Sequence, residues 1–221
     1  MRFVDLLNND SQTLILFFAG WGYDEACVSH LKTAKYDVKL AYDYRIISPL
    51  SSSFFEGYSN VVVVAWSFGV GVANMVLSDV QNSINRAYAI NGTLFPIDDL
   101  NGIPVDVFNG TLATLNNRSY QRFQARVMGG ASNYIKNSIY LPKRIFEEQK
   151  DELEALSSHF KSLFNSNLIW QKAICGTEDL IFPTQNLIRF WGNKAIEKPL
   201  PHFIFDNYQT WDELLNDFTN E

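Results

Sequence analysis

The chain has 221 residues, of which 47% are hydrophobic and 19% are charged, and its formal net charge at pH 7 is −6. This length can bury the core of one α/β domain, and no apolar run approaches the roughly 18 residues that span a membrane. The negative balance argues against nucleic acid as the main partner.

Strands alternate with helices along the first part of the chain. The predicted strands cover residues 1–7, 13–19, 38–44, 61–65 and 87–91. The first two resemble a hairpin, one helix is expected after Asp24, and another is expected over about 68–83. Such alternation is typical of parallel strand pairing in a doubly wound sheet.

The segment from about 110 to 166 interrupts this alternation. It predicts helices without strands: one over 117–127, a break at Gly129 and Gly130, and a long helix over about 142–164. The remaining elements are a strand at 168–175, a helix at 184–191, a short strand at 194–198 and a C-terminal helix through 218, opened by a Thr210–Glu213 capping box. We therefore expect one α/β domain over 1–221, with a helical cap inserted at about 110–166.

The pentapeptide AWSFG at 65–69 lies where a buried β-branched strand meets a helix. A serine on such a tight strand-to-helix turn has the geometry of a nucleophile elbow, which exposes its hydroxyl above the sheet. An ordinary turn that happens to contain serine has the same appearance. The functional interpretation of Ser67 therefore depends on partners elsewhere in the chain.

A base and a carboxylate follow in the required positions. Of the three histidines, His30 and His159 lie in predicted helices, whereas His202 lies in a proline-punctuated loop. Asp179 follows the predicted strand at 168–175, and the adjacent Glu178 is an alternative for the same role. The order Ser67, Asp179, His202 is that of the α/β-hydrolases and differs from those of chymotrypsin and subtilisin.

Two further features concern the reaction and its compartment. In α/β-hydrolases the loop after an early strand and the residue after the nucleophile supply oxyanion donors, which predicts the backbone N–H groups of Trp21 and Phe68. Cys27 and Cys175 show no metal-ligand spacing, and the N-terminus lacks a signal-peptide pattern. A cytoplasmic protein without metal or cofactor is expected.

The charges are unevenly distributed. Residues 107–146 contain no aspartate or glutamate but carry six arginines and lysines. Arg118, Arg122 and Arg126 follow an i, i+4, i+8 spacing and would form one stripe on a helix. The stripe is either an ordinary solvated face or a site for an acidic partner, and the absence of acidic residues favours the partner.

Taken together, FFAGWG at 17–22, AWSFG at 65–69, GTED at 176–179 and PHF at 201–203 resemble the BioG-type pimeloyl-[acyl-carrier protein] methyl ester esterases. These are α/β-hydrolases of about this size, and they replace the first elbow glycine, as Ala65 does here. The resemblance implies a cytoplasmic esterase of biotin synthesis that converts the methyl ester of pimeloyl-ACP to pimeloyl-ACP and methanol.

This resemblance also gives the residues roles. Ser67 would attack the ester, His202 would shuttle the proton and Asp179 would orient His202, while the arginine stripe would dock the acidic carrier protein. A thioesterase or a small-ester carboxylesterase on the same fold is an alternative, because the three residues do not separate these substrates. A more distant alternative is a non-catalytic binding module with a hydrolase-like fold.

Overall fold

The computed structural model describes residues 1–161 and 168–219, and seven strands from these residues form one sheet. The strands are β1 (Arg2–Leu7), β2 (Thr13–Phe18), β3 (Asp37–Tyr42), β4 (Asn60–Trp66), β5 (Arg86–Ile90), β6 (Lys172–Gly176) and β7 (Ala195–Lys198). Their order is β1-β3-β2-β4-β5-β6-β7, and all pairs are parallel except β1 with β3. The mostly parallel, doubly wound sheet predicted from the alternation is confirmed.

The β-branched run at 61–64 lies at the centre of this sheet. Val62 pairs with Ile15 and Val64 with Phe17 across the parallel β2–β4 ladder, and these side chains are buried. Parallel strands are covered by helices on both faces, so a continuous apolar run suits β4 better than an alternating pattern would. Burial of this strand anchors the turn that carries Ser67.

Helices connect and flank the strands in the described ranges. They are α1 (Phe68–Val76), α2 (Val105–Ala113), α3 (Asn117–Val127), α4 (Ala131–Lys136), α5 (Phe146–His159), α6 (Thr184–Trp191) and α7 (Trp211–Asn216). Helices α2 to α5 all lie between β5 and β6 in the chain. Helices α3 and α5 fall where the sequence predicts helices, whereas α2, which begins before the expected insertion, and α4 were not predicted. None of the helices in these ranges is long and apolar enough to cross a membrane.

Several boundaries and pairings differ from the sequence-based predictions. The hairpin between the first two strands is wrong, because β3 lies between β1 and β2. After Asp24 only a short 3-10 turn forms, at Glu25–Cys27, and His30 lies beyond it. The helix after Ser67 is α-helical to Val76 and continues as a 3-10 segment at Ser78–Ser83.

The predicted helix over 142–164 begins later, at Phe146, because Ile145 and the preceding residues are not helical. Its last predicted residues, 162–164, lie outside the described residues, as do 162–166 of the expected insertion. The predicted strand at 168–175 begins at Lys172. The capping box at the last helix is confirmed: the Thr210 side chain accepts from the Glu213 N–H, and the Glu213 carboxylate accepts from the Thr210 N–H.

Candidate active site

Ser67 stands between β4 and α1 in a backbone conformation that few residues other than glycine adopt. Its φ is 59° and its ψ is −129°, and its N–H donates to the Ile90 carbonyl at 2.9 Å. A positive φ at a non-glycine residue is strained and persists only where the surroundings enforce it. The Gly92 backbone packs closely against this turn, since a Cβ on Gly92 would lie 2.3 Å from the Ser67 carbonyl oxygen. The turn thus has the shape of a nucleophile elbow.

Ser67, His202 and Asp179 form a continuous hydrogen-bonded chain. The His202 Nε2 lies 2.9 Å from the Ser67 Oγ, and its Nδ1 lies 2.7 Å from the Asp179 Oδ2. The side chains of Asp179 and His202 are 0% and 2% exposed. Glu178, the alternative carboxylate, is exposed to solvent. The sequence reasoning therefore chose three residues that the structure brings together across 135 residues of chain.

The backbone after β6 fixes the orientation of the Asp179 carboxylate. Its Oδ1 accepts from the N–H groups of Ile181 at 2.6 Å and Phe182 at 3.0 Å, which leaves Oδ2 for His202. The Phe182 ring also stacks parallel to the imidazole, with centroids 5.8 Å apart. A carboxylate held in this way selects the tautomer with hydrogen on Nδ1, which makes Nε2 the acceptor toward Ser67.

Asn91 and Trp66 hold the His202 backbone, and sequence reasoning missed both roles. The Asn91 Nδ2 donates to the carbonyl oxygens of Pro201 and His202, and its Oδ1 accepts from the Gly176 N–H at 2.6 Å. The Trp66 indole N–H also donates to the His202 carbonyl at 2.9 Å. Asn91 was expected only to end a strand. Its positive φ of 44°, which asparagine tolerates, is the one local signal for a special role.

An apolar cleft opens beside the Ser67 hydroxyl, and a second cavity shares Trp21, Phe68 and Phe123 with it. The walls of the first are Gly20, Trp21, Tyr23, Trp66, Phe68, Phe123 and Val127. The second is lined by Trp21, Phe68, Ile103, Val107, Phe108, Thr111, Phe123, Arg126, Leu153 and Ile181. Trp21 and Phe68, the expected oxyanion residues, border both cavities. The Ser67 hydroxyl and the His202 imidazole thus lie beside a mostly apolar wall.

Burial raises the pKa values of the other side chains that could act as nucleophiles. It raises the pKa of the Cys175 thiol to about 12 and the pKa of Cys27 well above its ordinary value. Burial likewise raises the pKa of Tyr23, which lines the cleft, well above its ordinary value. These groups are therefore protonated near neutral pH, and a thiol is a poor nucleophile in that state. Among the residues in the described ranges, no group of three histidine, cysteine or acidic side chains could hold a metal ion.

The predicted arginine stripe lies on α3, whose bounds match the predicted helix. Arg118, Arg122 and Arg126 are all exposed. Arg126 differs from the other two, because its Nη2 donates to the Leu180 carbonyl at 2.7 Å and its side chain lines the second cavity. Arg144, counted in the same basic segment, is buried and paired with acidic side chains. Its charge therefore does not belong to the exposed surface.

Solved structures of hydrolases share this fold, which is the α/β-hydrolase fold. One is a lipase-esterase related protein from Clostridium acetobutylicum, with a TM-score of 0.64, 15% identity and 98% of each chain covered. A family model described as "Pimeloyl-ACP methyl esterase BioG" matches residues 3–214. The chain belongs to the BioG family.

Two further proteins are similar to this chain at more than 30% identity. The crystal structure of BioG from Haemophilus influenzae superimposes with a TM-score of 0.87 at 32% identity, covering 97% of this chain and 99% of that one. A malonyl-[acyl-carrier protein] O-methyltransferase from Bacteroides fragilis is 41% identical over 177 residues, which are 80% of this chain. The match spans 36% of that methyltransferase, so this chain corresponds to about a third of its length.

Proposed function

We propose that this chain is a serine carboxylesterase that hydrolyses the methyl ester of pimeloyl-ACP, giving pimeloyl-ACP and methanol in biotin synthesis. The observation that carries the proposal is the hydrogen-bonded Ser67–His202–Asp179 chain on a strained elbow in a member of the BioG family. The apolar cavity beside Ser67 suits the hydrocarbon part of a pimeloyl group. We place the enzyme in the cytoplasm, where its free cysteines, Cys27 and Cys175, would stay reduced.

The geometry suits acyl transfer through a covalent intermediate. The Ser67 Oγ attacks the methyl ester carbonyl while the His202 Nε2 takes the hydroxyl proton, and Asp179 stabilises the imidazolium that forms. Collapse of the tetrahedral intermediate breaks the bond to the methoxy oxygen, and His202 returns the proton to release methanol. Water, deprotonated by His202, then attacks the acyl-Ser67 ester. This second step frees the carboxylate of pimeloyl-ACP and restores the serine.

The negative oxygen of the tetrahedral intermediate needs donors that are already in place. We assign them to the backbone N–H groups of Trp21 and Phe68, because both residues border the cleft beside Ser67. Removal of one such donor in serine hydrolases costs about 3 kcal/mol of transition-state stabilisation. The Phe68 N–H lies at the start of α1, where the positive end of the helix dipole also stabilises a negative oxygen.

The carrier protein requires a surface outside the cleft. We propose that the helices between β5 and β6 form a cap over the site and that Arg118, Arg122 and Arg126 dock the acidic carrier there. The three arginines are exposed on α3, and Arg126 also reaches the second cavity. An enzyme with a net charge of −6 would otherwise repel an acidic partner, so a local cationic surface favours productive encounter.

The central experiment measures methanol release from pimeloyl-ACP methyl ester. We expect the wild type to release methanol and Ser67→Ala to lose roughly 10⁴-fold or more in kcat. Ser78→Ala makes the same chemical change after the far end of α1 and should match the wild type. Full activity of Ser67→Ala would refute the proposed nucleophile and revive the binding-module alternative or another site.

Two parallel measurements separate the related esterase activities. Release of a carrier thiol instead of methanol would identify a thioesterase. Cleavage of a p-nitrophenyl ester without cleavage of the carrier-bound ester would keep the Ser67 mechanism and reject the substrate. Cleavage of both esters, each lost with Ser67, is the result that the proposal expects.

A further inference from the structure

The loop that carries Trp21 is fastened to helix α5, more than 120 residues further along the chain. The Trp21 indole N–H donates to the Gln149 carbonyl at 2.7 Å, and the Gln149 Nε2 donates to the Gly22 carbonyl at 3.0 Å. The Gly22 N–H donates to the Glu152 Oε2 at 3.3 Å. Gln149 and Glu152 lie one turn apart on the same face of α5, so one helix holds consecutive residues of the loop from a single direction.

These bonds fix backbone that lies directly against the elbow. A Cβ on Gly20 would lie 3.2 Å from the Cβ of Ser67, so the loop backbone passes close to the serine at a position where a side chain would crowd it. Gly22 has a φ of +78°, and a Cβ there would lie 2.5 Å from the Tyr120 hydroxyl. With its N–H and its C=O both bound to α5, Gly22 cannot rotate without losing two buried hydrogen bonds.

Glu152 is itself held in place. Its Oε1 accepts from the Tyr44 N–H at 2.9 Å, and its Oε2 is paired with Arg144. The side chain is fully buried, so an unpaired position there would be costly. Gln149 is 2% exposed and contacts the loop through both its side chain and its carbonyl. Of the two, Gln149 is the more suitable for substitution, because it carries no charge.

We propose that Gln149 is a positioning residue that holds the backbone N–H of Trp21 in line with the developing oxyanion. The inference rests on the proposed function, in which that N–H is one of the two oxyanion donors. Donors stabilise a transition state strongly only when they are oriented before the reaction, since reorientation during the reaction costs much of the gain. Helix α5 would then complete the catalytic geometry from a part of the chain that supplies no reacting group.

The test is a Gln149→Met variant, which keeps the length of the side chain and the backbone carbonyl but removes the Nε2 donor. We expect kcat for pimeloyl-ACP methyl ester to fall roughly 10- to 100-fold, less than the 10²- to 10³-fold typical of deleting a donor outright. KM should change less than about 2-fold, because the bond lies outside the substrate cavity. Asn9→Leu is the matched control: it removes amide donors to the Thr33 and Tyr36 carbonyls, at the amino end of β3, and should leave kcat unchanged.

A transition-state analogue isolates the oxyanion interaction from general loss of stability. Pentylboronic acid accepts the Ser67 Oγ lone pair at boron and forms a tetrahedral anion whose oxygen occupies the oxyanion position. Its inhibition constant should rise in Gln149→Met by the same factor by which kcat/KM falls. Gln149→Leu removes the same Nε2 donor with an apolar side chain of a different shape and should also weaken boronate binding, which keeps the test decisive if Gln149→Met does not fold.

The outcomes distinguish this inference from the proposed function. If the wild type neither releases methanol nor binds the boronate, the proposed function fails. If the wild type does both, and either folded variant keeps wild-type kcat and boronate affinity, the positioning role of Gln149 is overturned while the esterase stands. A rise in KM alone, without loss of boronate affinity, would also overturn it.

Discussion

Residues 107–146, which contain no aspartate or glutamate, place some arginines in solvent and one in the protein interior. Arg118 and Arg122 project from α3 into solvent, whereas the Arg144 side chain is 4% exposed and lies between Asp43 and Glu152. Exposed ion pairs contribute little to folding, but a buried charge that loses its partner is strongly destabilising. Formal charge along a sequence therefore does not tell which cations form a surface and which hold the fold together.

The buried group also connects the fold to the site. Asp43 follows β3 and accepts from the Nε and Nη2 of Arg45, and its Oδ1 lies 3.2 Å from the Arg144 Nη2. Arg144 in turn pairs with Glu152, which accepts from the Gly22 N–H beside the cleft. Within the described residues, Arg118 and Arg122 form no ion pair that links them to the sheet. The two groups should therefore respond to substitution in opposite ways, one through stability and the other through rate.

The largest expected difference concerns Arg144. Arg144→Met leaves Asp43 and Glu152 without their buried cation, so we expect the free energy of unfolding to fall by about 3–5 kcal/mol. Arg118→Met, the same substitution on α3, should stay within about 0.5 kcal/mol of the wild type. Urea unfolding followed by tryptophan fluorescence measures both. Equal stabilities of the two variants would show that Arg144 is not a structural cation.

A smaller effect concerns the pH dependence of the same cluster. Burial alone would raise the pKa of Asp43, but hydrogen bonds from Arg45 and the charges of Arg144, Arg45 and Arg2 outweigh it, and the pKa of Asp43 lies below its ordinary value of 3.8. A carboxyl with a lowered folded-state pKa stabilises the fold above its unfolded pKa. That contribution is lost as the pH falls below about 4.

Asp43→Asn removes this titration. We expect the variant to be less stable than the wild type at pH 7 and to lose less stability between pH 5 and pH 2. Unfolding free energies at a series of pH values give the comparison. Burial raises the pKa of Glu152, so protonation of that group favours the folded state as the pH falls, opposite to Asp43. An acid loss in Asp43→Asn as steep as that of the wild type would show that Asp43 is not the carboxyl responsible.

The sequence predicts best where a local rule determines the result. The bounds of α3 at Asn117–Val127 match the prediction, because Asn116 caps the helix and glycines follow it. The elbow and the order of Ser67, Asp179 and His202 were also accessible, because strand ends and chain order identify them. The pairing of β1 with β3 was not, since an alternating strand pattern does not specify its partner.

Long-range polar contacts were the least accessible. Gln149 and Glu152 lie in a helix with charged neighbours and would be read as solvated from the sequence, yet both are buried against a loop near the N-terminus. Arg144 looked like one more surface cation for the same reason. The loop partners of Gln149 and Glu152, and Asp43 among the partners of Arg144, lie about 100 or more residues away, and periodicity within a window does not register them.

Substitution of the exposed Arg118 and Arg122 should have the smallest effect on the free energy of unfolding. Its main effect should be on recognition of the carrier protein. Arg118→Glu combined with Arg122→Glu should leave the free energy of unfolding within about 0.5 kcal/mol of the wild type per substitution. It should lower kcat/KM for pimeloyl-ACP methyl ester by roughly 10-fold at low salt, because like charges oppose encounter with an acidic carrier. Hydrolysis of a p-nitrophenyl ester, which needs no carrier, should be unchanged.

Arg126 is left intact in this variant because it also lines the cavity and binds the Leu180 carbonyl, so its loss would mix docking with acyl binding. Lys32→Glu combined with Arg86→Glu is the matched control, since it makes the same charge change at two exposed residues, one before β3 and one at the amino end of β5, whereas Ser67 follows the carboxyl end of β4. The difference between the double variants should shrink toward 0.5 M salt as screening removes the repulsion. An equal loss in both would mean that net charge alone, and not the α3 surface, governs the encounter.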